Sequence, residues 1–265
     1  MNSLTLLQGS QMSALCLLSG TLGGIIGSFL GVVVERIPPL IKEEAGAGNL
    51  LFPASHCPAC SHTLAWWENI PVLSWCCLRG RCRCCQTAIP LRLLLLELSS
   101  ALFFALTAAY APSAAALMSL WVLWCGLLPL ATIDAKHMLL PDCLTQPLLW
   151  AGLLNHALFH TLPLSDALFG AAAGYLSLWL LYWAFRLTTG REGLGYGDFK
   201  LLAALGAWCG WQALPSLLLA AALSGIALYF VFYKAVKENS VIPFGPLLSL
   251  AGLVIFIVQT LQFTF

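Results

Sequence analysis

The chain has 265 residues, of which 60% are hydrophobic and only 9% charged, and its formal net charge is +1. A soluble domain carries roughly 25% charged residues, so this composition excludes one and indicates a polytopic membrane protein lying largely within the lipid bilayer. There is no basic tract and no low-complexity tail, so no nucleic-acid partner is expected. No internal repeat is visible.

A helix that crosses a bilayer needs about 20 apolar residues. Candidate spans fall at roughly 12–34, 91–110, 114–133, 143–162, 166–187, 194–211, 213–233 and 242–262. The expected fold class is therefore an all-α polytopic membrane protein of about eight transmembrane helices. The sixth span is the weakest, being glycine-rich and carrying Asp198 and Lys200 near its start. Residues 1–11 are expected to form a short external tail. The first apolar run lacks a basic leader and is long enough to span, which is the pattern of a helix rather than a cleaved signal.

Eight spans leave residues 35–90, 134–142, 186–200 and 234–240 on one side. All twelve Lys and Arg residues fall there or at its boundary, and the opposite turns near Ala111, Thr161 and Gln212 carry none. Cytoplasmic loops hold the excess of basic residues, so the N-terminus is expected outside. The expected organisation is an external tail and first helix over 1–34, a cytoplasmic domain over 35–90 and a seven-helix membrane domain over 91–265.

The cytoplasmic segment contains Cys57-Pro58-Ala59-Cys60 and, after 21 further residues, Cys82-Arg83-Cys84-Cys85. Two CxxC turns, each aiming two thiolates at one tetrahedral ion, match a zinc ribbon or knuckle held by Cys57, Cys60, Cys82 and Cys85. A pair of disulfides is the alternative, disfavoured in the reducing cytosol. Cys76, Cys77, Cys84, His56 and His62 are spare ligands nearby, and Cys84 is a possible substitute for Cys85. Four protein ligands close the coordination sphere, so such a zinc is structural. Residues Trp66 to Trp75 are aromatic and apolar and suit a membrane interface. Cys16, Cys125, Cys143 and Cys209 sit in apolar runs and read as small buried hydrophobes.

An ionisable residue at membrane depth is costly and is a functional candidate by default. Asp134 ends the run Leu127–Ile133, and Asp198 lies in Gly193-Leu194-Gly195-Tyr196-Gly197-Asp198, ahead of Leu201–Leu205. Both fall on the cytoplasmic side. Two such carboxylates can share one proton and activate one water, which is aspartic-protease chemistry. Asp142, after Pro141, reads as a helix N-cap, and Asp166 as helix-start chemistry. Glu97 is expected to pair with Arg92 or with polar backbone. His137 is not expected to act as a base. The glycines before Asp198 do not fit a phosphate-binding loop and are expected to let backbone approach closely.

Taken together, the motifs resemble the bacterial prepilin peptidases, the type IV leader peptidases. The resemblance runs through Gly27-Ser28-Phe29-Leu30, the cysteine domain with Asn69-Ile70-Pro71-Val72-Leu73-Ser74-Trp75, Ile133-Asp134 with Leu140-Pro141-Asp142, the Gly193–Lys200 motif, and Ile242-Pro243-Phe244-Gly245-Pro246. It implies that Asp134 and Asp198 are the catalytic pair of a membrane aspartic endopeptidase in the inner membrane. The family cleaves the basic leader of type IV prepilins and type II secretion pseudopilins after a glycine, on the cytoplasmic side. Many members then methylate the new N-terminus with S-adenosylmethionine. Three positions depart from the family pattern: Gly31 stands where Asn is usual, Tyr196 replaces a glycine, and Arg92-Leu93-Leu94-Leu95-Leu96-Glu97 replaces RYPLVE. Two other readings are a presenilin-like GxGD protease and a non-enzymatic membrane scaffold or proton-coupled transporter.

Overall fold

The computed structural model describes residues 3–43, 49, 50, 52, 54–191, 195–232 and 243–262, with side chains from residue 12 onward. Gly193, Leu194 and Ile242 of the motifs above, and the basic residues Lys234 and Lys237, lie outside the described residues. The fold is all-α, as expected: among the described residues there are only isolated β-bridges and no strand. Two compact units divide the chain, Met1–Ser113 and Ala114–Phe265.

The first unit pairs two long helices, α1 (Ser3–Ile41) and α3 (Leu91–Tyr110). They approach so closely because α1 presents glycine there: a Cβ at Gly27 would stand 2.7 Å from the Leu96 carbonyl oxygen. Small residues at a helix contact let backbones pack where lipid offers no hydrophobic drive. At one end Arg92 of α3 reaches Glu35 of α1 at 2.7 Å. The segment between the two helices holds a short 3₁₀ turn at Trp66–Asn69 and the single-turn helix α2 (Leu73–Cys77).

The second unit comprises α4 (Ala114–His137), α5 (Asp142–Phe159), α6 (Leu164–Thr189), α7 (Tyr196–Cys209), α8 (Leu214–Phe232) and α9 (Gly245–Gln262). Its centre is α7, which packs against α5, α6 and α9 and is buried continuously from Leu201 to Cys209. The α6 and α7 backbones touch: a Cβ on Gly170 would collide with the Gly206 carbonyl, and one on Gly206 with the Gly170 carbonyl. Trp208 fills the space beside Gly152 of α5, and its indole N–H donates to the Leu148 carbonyl at 2.9 Å.

Six of the described helices are long and apolar enough to cross a membrane. The two others among the eight expected segments are α5 and α7. Helix α7 has only 14 residues. Helix α5 carries buried Thr145, Asn155 and His156. Asn155 and His156 serve the neighbours of α5 rather than lipid, while Thr145 donates to the Pro141 carbonyl at the start of its own helix. His156 Nε2 donates to the Trp208 carbonyl at 2.9 Å, and Gln259 of α9 donates to the Cys209 carbonyl at 3.0 Å. Both acceptors are last-turn carbonyls of α7, which have no partner within the helix.

The Gly170–Gly206 contact leaves no room for a side chain. Gly206→Val should therefore lower the thermal inactivation midpoint of the purified protein in detergent sharply, at a cost of at least ~3 kcal/mol. Gly190→Ala is the control. Nothing lies within 4 Å of that position, so only its left-handed backbone opposes the substitution, by about 1 kcal/mol.

Candidate active site and metal centre

Asp134 lies near the end of α4 and is only 6% exposed. Its Oδ2 accepts the backbone N–H of Gly245 at 3.0 Å. Gly245 is the first residue of α9, so the positive end of that helix faces the carboxylate. A side chain at 245 would intrude, since its Cβ would stand 2.6 Å from Asp134 Oδ2. The sequence reading noted Ile242–Pro246 only as a family element and missed this amide. The local signal for it is a Gly-Pro step opening an apolar run, which starts a helix with its first amides unpaired.

Asp198 is the third residue of α7 and is partly buried. Gly195 is the N-cap, and its amide hydrogen-bonds the Asp198 carboxylate. Asp134 is near enough to act on Asp198 electrostatically. Each aspartate is thus held by one glycine amide at a helix start, and each feels the other. Gly197 has a different task. A Cβ there would stand 2.7 Å from Cβ of Leu140, so the missing side chain admits the loop that joins α4 to α5.

Asp142 does not cap α5, contrary to the sequence reading. Pro141 occupies the cap position, and Asp142 is the first helical residue. Its two carboxylate oxygens accept from Lys200 Nζ at 2.6 and 2.7 Å. Asp166 lies in the first turn of α6, where it accepts from Gln212 at 2.9 Å. His137 closes α4.

In the first unit, Sγ of Cys57 lies 3.7 Å from Sγ of Cys85, and Sγ of Cys60 lies 3.9 Å from Sγ of Cys82. All four sulfurs fall within 4.8 Å of one another. Four thiolates around one ion with bonds of about 2.3 Å form a tetrahedron with edges of about 3.8 Å. Without a cation between them, four thiolates this close would repel strongly. The geometry therefore fits a tetrahedral metal, and no disulfide joins any of the eleven cysteines. Cys85 is the fourth member of the group, and Cys84 is exposed outside it, as are Cys76 and Cys77. Hydrogen bonds with the Thr87 hydroxyl and amide pull the Cys85 thiol down to about 6, while, against the His62 amide, burial and the neighbouring sulfurs push the Cys60 thiol up to about 12.

The two turns repeat each other, although the sequence shows no repeat. Cys57 N–H bonds the His62 carbonyl, and Cys82 N–H bonds the Thr87 carbonyl, both at 2.9 Å. Ser61 and Gln86, each directly after a second cysteine, share positive φ values of 56° and 59°. What recurs is a backbone path, carried by different side chains. Glu68 braces the region from inside. The Ala65 amide, with His62 after it, holds its carboxyl below the usual range against the opposing effect of burial.

Glu97 pairs with backbone, one of its two expected partners: it accepts the Val72 N–H at 2.8 Å. Arg92 pairs with Glu35 instead. The Leu73 N–H meets the Pro71 carbonyl at 2.6 Å, closing a three-residue turn that forces Val72 to φ 61°. That is a strained conformation for a β-branched residue, and the Glu97 carboxylate helps to hold it.

The fold and the site define a class: a polytopic helical membrane protein with paired acids at one end of its second unit and a four-cysteine centre in its first. The family profile described as Type IV leader peptidase family matches residues 121–230, and that described as Bacterial Peptidase A24 N-terminal domain matches residues 21–111. Relatives named Prepilin leader peptidase/N-methyltransferase occur in several bacteria. That of Aeromonas salmonicida is 48% identical over 249 residues, 86% of this chain and 85% of the relative. That of Pectobacterium carotovorum is 47% identical over 253 residues, covering 88% and 89%. That of Pseudomonas aeruginosa is 44% identical over 249 residues, covering 87% and 86%. No solved structure matches the chain. The chain belongs to the type IV leader peptidase family, which sets aside the presenilin-like and scaffold readings.

The sulfur geometry predicts one tightly bound metal ion per chain by elemental analysis. Cys57→Ser should lose it, whereas Cys76→Ser and Cys84→Ser should retain it.

Proposed function

We propose that this chain is a membrane aspartic endopeptidase that removes the basic leader of prepilins or pseudopilins and then N-methylates the exposed amine. The observation that carries the proteolytic step is the pairing of Asp134 with Asp198 in one unit, each held by a glycine amide. Two mutually repelling carboxylates share a single proton readily. The ionised member takes a proton from water as the water oxygen attacks the scissile carbonyl carbon. The protonated member gives its proton to the carbonyl oxygen. Collapse of the tetrahedral intermediate breaks the C–N bond and returns a proton to the leaving amine. The amides of Gly195 and Gly245 keep both carboxylates oriented through the cycle.

The ion in the Cys57–Cys60–Cys82–Cys85 centre is zinc in this reading. Its role is to hold together a segment that has too little apolar core of its own. With four cysteine ligands it leaves no position open for a reacting water. Methylation uses S-adenosylmethionine. When bound, S-adenosylmethionine would supply the methyl group to the deprotonated amine.

The protein sits in the bacterial inner membrane with its N-terminus outside and residues 35–90 in the cytoplasm, the side that carries the basic residues. A basic leader remains on that side for the same reason.

Asp134→Asn and Asp198→Asn should each abolish cleavage of a prepilin by the purified protein while leaving membrane insertion intact. Substantial cleavage by either folded variant would remove the assignment. For topology, Lys136→Cys should be labelled from the cytoplasm and His160→Cys from outside. The reverse labelling would invert the orientation. Mass spectrometry of the cleaved product with S-adenosylmethionine present should find a methylated N-terminus. An unmodified one would reduce the chain to a peptidase alone.

A further inference from the structure

We propose that Asp142 and Lys200 are a positioning pair for the peptidase site, fixing the rotation of the first turn of α7 and with it the bearing of Asp198 towards Asp134. The inference rests on the leader-peptidase reading and adds two residues to it.

Lys200 follows Asp198 by two positions. At 100° per residue the two side chains leave the helix about 200° apart, on nearly opposite sides. Lys200 therefore does not share the face of Asp198, and it is no candidate for contact with the reacting atoms. Its ammonium instead meets both oxygens of Asp142 on α5, at 2.6 and 2.7 Å. A tie on the back of a helical turn resists rotation about the helix axis, and that rotation is the movement that would swing Asp198 away from its partner.

The remaining contacts of this turn act in the same sense. Tyr196 lies four positions before Lys200, on the same side of α7. Its hydroxyl donates to the Tyr182 hydroxyl of α6 at 3.2 Å, and Tyr182 also accepts from Arg186 at 3.0 Å. Gly197 seats Leu140. Asp142 lies eight residues after Asp134, with Leu140 between them. One short stretch of chain therefore runs from the first aspartate, past the contact at Gly197, to the carboxylate that grips the helix of the second. The bearing of Asp198 is set from the Asp134 side of the site.

Stability alone does not explain the pair. Its side chains are 30% and 61% exposed, and an ion pair so open to solvent contributes little to folding. Catalysis is far more sensitive, because a small misplacement of a reacting group can cost orders of magnitude in rate.

The test uses the full-length purified protein and a peptide substrate with a basic leader and an apolar helix. Asp142→Asn and Lys200→Met should each lower kcat about tenfold with KM unchanged, and should leave metal content and the thermal inactivation midpoint at wild-type values. Lys200→Arg should keep at least half the wild-type rate. The double exchange Asp142→Lys with Lys200→Asp should recover most of what either single exchange loses. Asp166→Asn, at an acid with a separate partner, should cleave as the wild type does. Single variants that cleave at the wild-type rate would overturn the inference. So would an exchange pair no faster than its single variants, or an effect confined to KM, which would make the pair a substrate contact. A wild-type protein that cleaves nothing would sink the leader-peptidase reading and this inference with it.

Discussion

The second unit is organised by one constraint: a helix too short to span, buried from Leu201 to Cys209, must have its end groups satisfied by neighbours. Helix α7 has 14 residues. In the interior of a membrane protein, unpaired backbone carbonyls cost several kcal/mol each. His156 and Gln259 take up the Trp208 and Cys209 carbonyls at its last turn. The first turn carries Asp198, and its N-cap amide bonds that carboxylate. The helix is therefore anchored at its C-terminal end and carries the carboxylate of Asp198 near its N-terminal end. The Gly170–Gly206 contact then locks it laterally against α6.

The same constraint accounts for the polar character of α5. A helix facing lipid has no use for Thr145, Asn155 and His156, yet all three are buried. Asn155 bonds Ser119 of α4, and His156 bonds both the Trp208 carbonyl and Thr161. Apolar content was given up in α5 so that its neighbours could be satisfied. That is why α5, although as long as α9 at 18 residues, is not among the six helices apolar enough to span, whereas α7 is excluded by its 14 residues alone. The first unit solves a different problem. Its segment between α1 and α3 has little to bury, and it gains order from four sulfurs, from the Glu68 carboxylate beneath the Ala65 amide, and from Glu97 holding the strained turn at Val72.

Much of this was legible in the sequence. Asp134 and Asp198 stood out because charge among apolar runs is costly, whatever the fold. The cysteine centre was legible because a CxxC turn is local, and its spacing alone brings two sulfurs together. The eight segments and the all-α class followed from hydropathy. What escaped the sequence was the set of bonds between distant helices. Lys200 with Asp142 and Gly245 with Asp134 join residues 58 and 111 positions apart. No local pattern encodes such pairs, since they depend on how helices are rotated against one another. Asp142 was read as a cap because Asp is a good cap wherever a helix begins. Pro141 displaced it by one position and freed its carboxylate for another use. The repeat in the cysteine turns was invisible for the opposite reason: the two copies share φ values and hydrogen bonds but few side chains.

The contacts of Asp134, Asp142 and Glu97 have a common form. In each, a charged side chain is held by a partner on another element: Asp134 by the Gly245 amide, Asp142 by Lys200, and Glu97 by the Val72 amide. A carboxylate near hydrocarbon persists in the folded state only when such a partner compensates for the lost water. Every one of these acids therefore carries structural information as well as charge, because its partner must arrive from elsewhere in the fold. Asp134 and Asp198 differ from the rest in one respect: each lies within electrostatic reach of another acid. Among the described residues Glu97 meets backbone and Asp142 meets a cation, so each is settled by its partner. The aspartate pair is not settled by its amides, since one N–H to each carboxylate leaves the repulsion between them in place. A shared proton relieves that repulsion, and moving that proton is what hydrolysis by two acids requires.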